Sequence, residues 1–132
     1  MIVVDTNVIA YYILRMNETA DAIKVRQKDA DWTAPGLWRS EFRNMLLRYV
    51  RSGDLDVQLA KSAVAKAMGI IRGRSISSDN VMDLAVASGC TAYDCEFVSL
   101  AERLNIPLVT NDRQVLSAFP HRAFSIADFL QP

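Results

Sequence analysis

The chain has 132 residues, 51% of them hydrophobic, with 15 lysines and arginines balanced by 15 aspartates and glutamates. That length suits one domain, residues 1–132, which buries roughly two thirds of its unfolded surface on folding and needs no disulfide staples. A formal charge of zero carries no overall field of the kind that draws nucleic acid, and no apolar run approaches the roughly 20 residues of a membrane helix.

Met1 is followed at once by the β-branched run Ile2-Val3-Val4, with no basic leader region or small-residue cleavage site. The expectation is a cytoplasmic protein whose two cysteines, Cys90 and Cys95, stay reduced. They lack CxxC spacing, so zinc and dithiol chemistry are not expected. Asp5-Thr6-Asn7 stops the first strand, and Val8, Ile9, Tyr12 and Ile13 then recur at helical spacing. Tyr11 and Leu14 make this helix apolar on more than one side, which suggests a surface for a partner. Asn17 is placed to cap a second helix through about Lys28. Trp32-Thr33-Ala34 reads as a short strand closed by Pro35-Gly36.

Leu37–Arg51 reads as a long helix ended by Ser52-Gly53. Its apolar stripe is Trp38, Phe42, Met45, Leu46 and Tyr49, and Glu41 falls inside that stripe, an unusual place for a charge. The stretch also carries Arg39, Arg43, Arg48 and Arg51. A further helix runs from Asp54 or Asp56 to about Met68, with Val57, Ala60, Val64 and Ala67 on one side. Arg72–Ser78, including Arg72-Gly73-Arg74, reads as a loop. Asp79–Ser88 is a helix with Val81, Leu84 and Ala85 inward, ended by Gly89.

In TAYDCEFVSLAERLNIPLVTND, Thr91 to Asp112, a helix with Asp94 at its head leads to the apolar run Ile106–Val109 and then Asp112. A helix at Val115–Phe119, a weak strand at Ala123–Ile126 and a turn at Ala127–Leu130 complete the chain. Strands alternating with helices predict an α/β fold with an open parallel sheet.

Four acids are candidates for chemistry: Asp5, Glu41, Asp94 and Asp112. Taken singly each has an ordinary reading. Asp5 and Asp112 follow strands, where Asp caps a helix or makes a turn; Asp94 is a natural N-cap, and Glu41 can pair with an arginine. Taken together they converge, because ligands of open α/β sheets bind beyond the carboxyl ends of the strands. Carboxylates gathered there repel by about 4 kcal/mol per close pair at an effective dielectric near 20. With no lysine or histidine among them, they call for a hard cation, Mg²⁺ or Mn²⁺. Such an ion can activate water against a phosphodiester. Thr6, Asn7 and Thr110 are either turn residues or hydrogen-bond partners that orient these carboxylates. Asn111 reads as a turn residue, Glu96 as a charge that suits its helix end, and His121 as a surface residue. No GxGxxG or GxxxxGK[ST] occurs, which disfavours dinucleotide and P-loop sites.

VDTNV at the start, Glu41 in a helix after a Pro-Gly turn, and YDCEFVSLAERLNIPLVTND together resemble the PIN-domain ribonucleases, and more closely the VapC-type toxins of bacterial and archaeal toxin–antitoxin pairs. The resemblance implies a three-layer α/β/α PIN-like domain with a central parallel sheet of four to five short strands. It makes Asp5, Glu41, Asp94 and Asp112 the metal-binding quartet of an Mg²⁺- or Mn²⁺-dependent endoribonuclease, with Asn7 and Thr110 in support. It also implies an RNA substrate, a homodimer and a small VapB-type antitoxin. Arg39, Arg43, Arg72, Arg74 and Arg113 are the candidates to meet RNA phosphates. Arg39 and Arg43 lie on a face turned away from Glu41 and equally suit an acidic partner. The competing expectation is a non-toxin PIN nuclease or a catalytically silent RNA- or partner-binding module.

Overall fold

In a computed structural model describing residues 1–132, strand β1 (Ile2–Val4) leads into helices α1 (Thr6–Ile13) and α2 (Thr19–Lys28), then β2 (Trp32–Pro35). Helices α3 (Leu37–Arg51) and α4 (Val57–Ile70) carry the chain to β3 (Arg72–Arg74). Helices α5 (Ser78–Ser88) and α6 (Ala92–Leu104) precede β4 (Leu108–Val109). Helix α7 (Arg113–Ala118), β5 (Ala123–Phe124) and α8 (Ile126–Leu130) end it. The strands form one parallel sheet in the order β3-β2-β1-β4-β5. Parallel neighbours require long crossovers, and the helices supply them on both faces, giving the expected three layers. The chain first builds outward from β1 through β2 to β3, then returns to start again on the other side with β4. The reversal of strand order therefore falls between β1 and β4.

Ile2, Val3 and Val4 are buried on both faces, as a central parallel strand requires. Trp32, Trp38, Phe42, Ile9, Leu46 and Leu100 fill the core around them. Helix α6 packs across β1, β2 and β4, while α3 and α4 pack against α1.

Several sequence expectations shift in detail. Arg72–Arg74 is the edge strand of the sheet and not a loop: Thr33 pairs with Arg72 and Pro35 with Arg74. Two arginines and a glycine show no strand pattern because the outer edge faces water, where charge blocks unwanted pairing. Thr33 holds the strand instead, donating to the Arg72 carbonyl at 2.6 Å and accepting from Arg74 Nε at 3.1 Å. Helix α2 is capped at Glu18 with no side-chain bond, so Asn17 is not its cap. The buried side of α4 is Ala60, Ala63 and Ala67, with Val57 48% exposed, because the tight approach to α1 and α3 selects small residues. Along α5 only Val81 is fully buried. Ile126 belongs to α8 and not to the last strand, since Ser125 caps a helix there. The glycines at 53 and 89 take φ of +84° and +74°, the left-handed conformation that ends α3 and α5.

The apolar excess of α1 is covered in part by the core, and Ile13 and Leu14 also border a groove beside it. Tyr11, Tyr12, Ile13 and Leu14 are half-buried against the core, and Tyr12 meets Trp32 edge-on at 5.3 Å.

Candidate metal centre

In α/β sheets the crevice at the reversal of strand order, beyond the carboxyl ends of the strands, is where ligands bind. Here a cleft of about 260 Å³ opens there, and Asp5, Glu41, Asp94 and Asp112 all line it. A larger groove of about 1010 Å³ lies elsewhere, along α1, α3 and α4, with none of the four acids.

Asp5 leaves β1 as the N-cap of α1, its Oδ1 accepting from the Val8 N–H at 2.9 Å. Its Oδ2 accepts from the Thr110 hydroxyl. Burial raises the Asp5 pKa to about 6 despite these two hydrogen bonds, and the charges of Asp112 and Glu41 add to the rise. Glu41 is half-buried on α3, and Thr6, itself buried on α1, donates to its Oε1 at 2.7 Å. Its pKa is raised by burial and by Asp94, against the lowering effect of Thr6. Asp94 stands in the first turn of α6, whose N-cap is Thr91: the Asp94 N–H donates to Thr91 Oγ1 at 3.1 Å. Capping therefore does not account for the Asp94 carboxylate. Burial and the charge of Asp112 raise its pKa. Asp112 caps α7 through Oδ1, which accepts from the Val115 N–H at 3.0 Å.

The capping and clustering readings of Asp5 and Asp112 thus both hold. Each uses one oxygen locally and keeps the carboxylate on the cleft. The repulsions close a ring: Asp5 with Glu41 and Asp112, Asp94 with Glu41 and Asp112. Thr110 ties two members together. Its hydroxyl donates to Asp5 and accepts from the Asp112 N–H at 3.0 Å.

No cation neutralises the ring from within. The two ion pairs of the protein join the N-terminal amine to Asp29 and Lys24 to Asp21, so Glu41 is not paired with an arginine. The donor set is all oxygen and suits a hard divalent ion. As the side chains stand, no three His, Cys, Asp or Glu groups are arranged to hold one. Asp5, Glu41, Asp94 and Asp112 fit such an ion by chemistry and by the cleft they share.

The remaining candidates are placed as follows. Thr6, Asn7 and Thr110 line the cleft, whereas Arg39, Arg43, Arg72, Arg74 and Arg113 do not. Arg43 leans on Ser40 and Arg74 is committed to Thr33. Arg113 opens α7 directly after Asp112 and is exposed. Glu96 lies outside the cleft, its pKa raised by burial and by Glu41. Asn111 accepts from the Ile126 N–H at 3.0 Å, which ties the segment after β4 to the start of α8. Sequence reading missed Asn44 and Arg48 on the cleft wall. Their signal was present: with Glu41 they lie at i, i+3 and i+7 of one helix, which is one face.

A PIN domain model matches residues 2–121. The chain belongs to the PIN-domain family. It is 26% identical over 124 residues to ribonuclease VapC3 of Pyrobaculum aerophilum, covering 90% of this chain and 95% of that one. The crystal structure of PAE2754 from the same organism superposes with a TM-score of 0.80 at 25% identity, covering 98% of this chain and 91% of that one. VapBC2 of Rickettsia felis, crystallised with a DNA fragment from its promoter, gives a TM-score of 0.69 at 15% identity, over 95% of this chain and 98% of that one. This last likeness is one of fold. Among PIN domains the chain is thus similar to the VapC-type proteins.

Proposed function

We propose that this PIN domain is an Mg²⁺- or Mn²⁺-dependent endoribonuclease, acting in the cytoplasm as the toxin of a toxin–antitoxin pair that arrests translation. The observation that carries the reading is the ring of four mutually repelling carboxylates at the point where strand order reverses. A bound divalent ion would supply an activated water and charge stabilisation at the phosphodiester. Asp5, Glu41, Asp94 and Asp112 would hold it. Thr6 and Thr110 fix the orientation of Glu41 and Asp5, and the helix N-termini behind Asp5 and Asp112 fix their backbone. Asn7 is exposed on the cleft wall, within reach of a ligand there. Arg39, Arg43, Arg72 and Arg113 are exposed and would meet RNA outside the cleft.

The likeness to VapBC2 supports a small VapB-type antitoxin as a partner, and a homodimer is proposed beside it on the family resemblance alone. The groove along α1, α3 and α4, with Ile13, Leu14 and exposed Leu59 on its walls, is open enough to receive a partner segment.

Purified protein incubated with cellular RNA and Mg²⁺ or Mn²⁺ is expected to cleave it and leave 3′-hydroxyl ends. Cleavage that persists undiminished in excess EDTA, or in Asp94→Asn, refutes the mechanism. Growth unaffected by expression of the wild-type chain refutes the toxin role while leaving the nuclease standing, and mapping RNA 5′ ends after induction identifies the target.

A further inference from the structure

Glu41, Asn44, Met45 and Arg48 occupy positions i, i+3, i+4 and i+7 of α3 and together form one wall of the acidic cleft. Arg48 is the sole basic residue among those lining it. It is exposed, and neither ion pair of the protein involves it, so the four carboxylates nearby do not hold its guanidinium. Seven residues at about 1.5 Å rise set its backbone about 10 Å along the helix from Glu41. Arg48 nevertheless lines the same cleft as Asn44 and Glu41, because residues at i, i+3 and i+7 share one helix face. An uncommitted cation on a wall of an acidic cleft calls for an anion lying beside whatever the acids hold.

We infer that Arg48 is a phosphate-binding residue that positions the RNA strand, gripping a phosphate next to the one presented to the carboxylates. The inference rests on the reading of the cleft as a ribonuclease centre. Four carboxylates repel a polyanion, so a strand entering the cleft needs a fixed positive charge to align it. A guanidinium offers a planar fork of donors matched to phosphate oxygens, and it stays charged at any working pH. The bland alternative is that Arg48 merely complements the negative C-terminal end of α3. Arg51 lies in the same last turn but does not line the cleft, which makes it the internal control. The structural role is shared by both residues, and the positioning role belongs to Arg48 alone.

The test compares wild type, R48A, R48K and R51A, each checked for unchanged thermal unfolding. Fluorescent single-stranded RNA is titrated in EDTA at several salt concentrations, and KM and kcat are then measured with Mn²⁺. Loss of one phosphate contact is expected to weaken RNA binding about tenfold, the change that goes with one charge-assisted hydrogen bond. It should also lower the slope of log affinity against log salt by about 0.7, the single-strand value per phosphate. R48A should show both changes, with the loss in KM exceeding that in kcat. R48K should keep the salt slope, and R51A should behave as wild type. R48A with wild-type KM and salt slope, or R51A losing as much as R48A, overturns the role of Arg48 while the nuclease reading stands. Wild type that neither cleaves nor binds RNA overturns both.

Discussion

Replacing Asp5 by Asn tests whether the cleft stores electrostatic strain. An acid whose pKa is higher folded than unfolded holds its proton more tightly in the folded state. Its ionisation therefore costs stability: the penalty is absent below the unfolded pKa of 3.8, grows as pH rises, and is complete above the folded value of about 6. A shift of about two units corresponds to at most about 3 kcal/mol. The neutral amide removes that penalty and still accepts from the Val8 N–H. It loses the acceptor for the Thr110 hydroxyl, an offset of about 1 kcal/mol. Asp5→Asn is thus expected to be about 2 kcal/mol more stable than wild type at pH 8. At roughly 4 °C per kcal/mol for a domain of this size, Tm rises by about 8 °C. At pH 4 the benefit falls to about 0.5 kcal/mol, and the lost hydrogen bond makes the variant slightly less stable. Thermal unfolding followed by circular dichroism in EDTA at pH 4, 6 and 8 measures the crossover. A difference in Tm that does not change with pH, or that has the opposite sign, refutes the argument.

Asp94 and Asp112 separate cleft from cap: Asp112→Ala removes the N-cap of α7 and should cost about 1 kcal/mol in urea unfolding, whereas Asp94→Ala should not destabilise, and both should abolish cleavage. Mg²⁺ or Mn²⁺ at a hundred times its Kd should stabilise wild type by about 2.7 kcal/mol in thermal melts, an effect lost in Asp94→Asn; equal stabilisation of the two locates the ion elsewhere. Thr6→Val removes the donor that orients Glu41 and should lower activity by about 10–100-fold with little change in unfolding. Phe42→Ala, at a fully buried core position, should cost about 3–5 kcal/mol in urea unfolding.

The sequence by itself determined the elements whose signal is local. The β-branched run at Ile2–Val4, the apolar stripe of α3 and the glycines at 53 and 89 were legible because strand burial, helical periodicity and left-handed backbone each leave a mark within a few residues. Of the four acids only Glu41, a charge inside an apolar stripe, breaks its local pattern; Asp5, Asp94 and Asp112 look like ordinary caps or turns one by one and stood out as a set through the α/β topology and the family resemblance. Their supporting hydroxyls could not be told from turn residues: Thr6 finds Glu41 across 35 positions and Thr110 finds Asp5 across 105, pairings with no local trace. Edge strand β3 was invisible because its polar residues satisfy the sheet's rim and not a core. Tertiary structure also decided which arginine faces the cleft. Strand order places β1 beside β4, and the packing of α3 against α1 then turns Arg48 onto the cleft wall and leaves Arg39 and Arg43 outside. Charge in the sequence named the basic helix, and only the fold chose its working face.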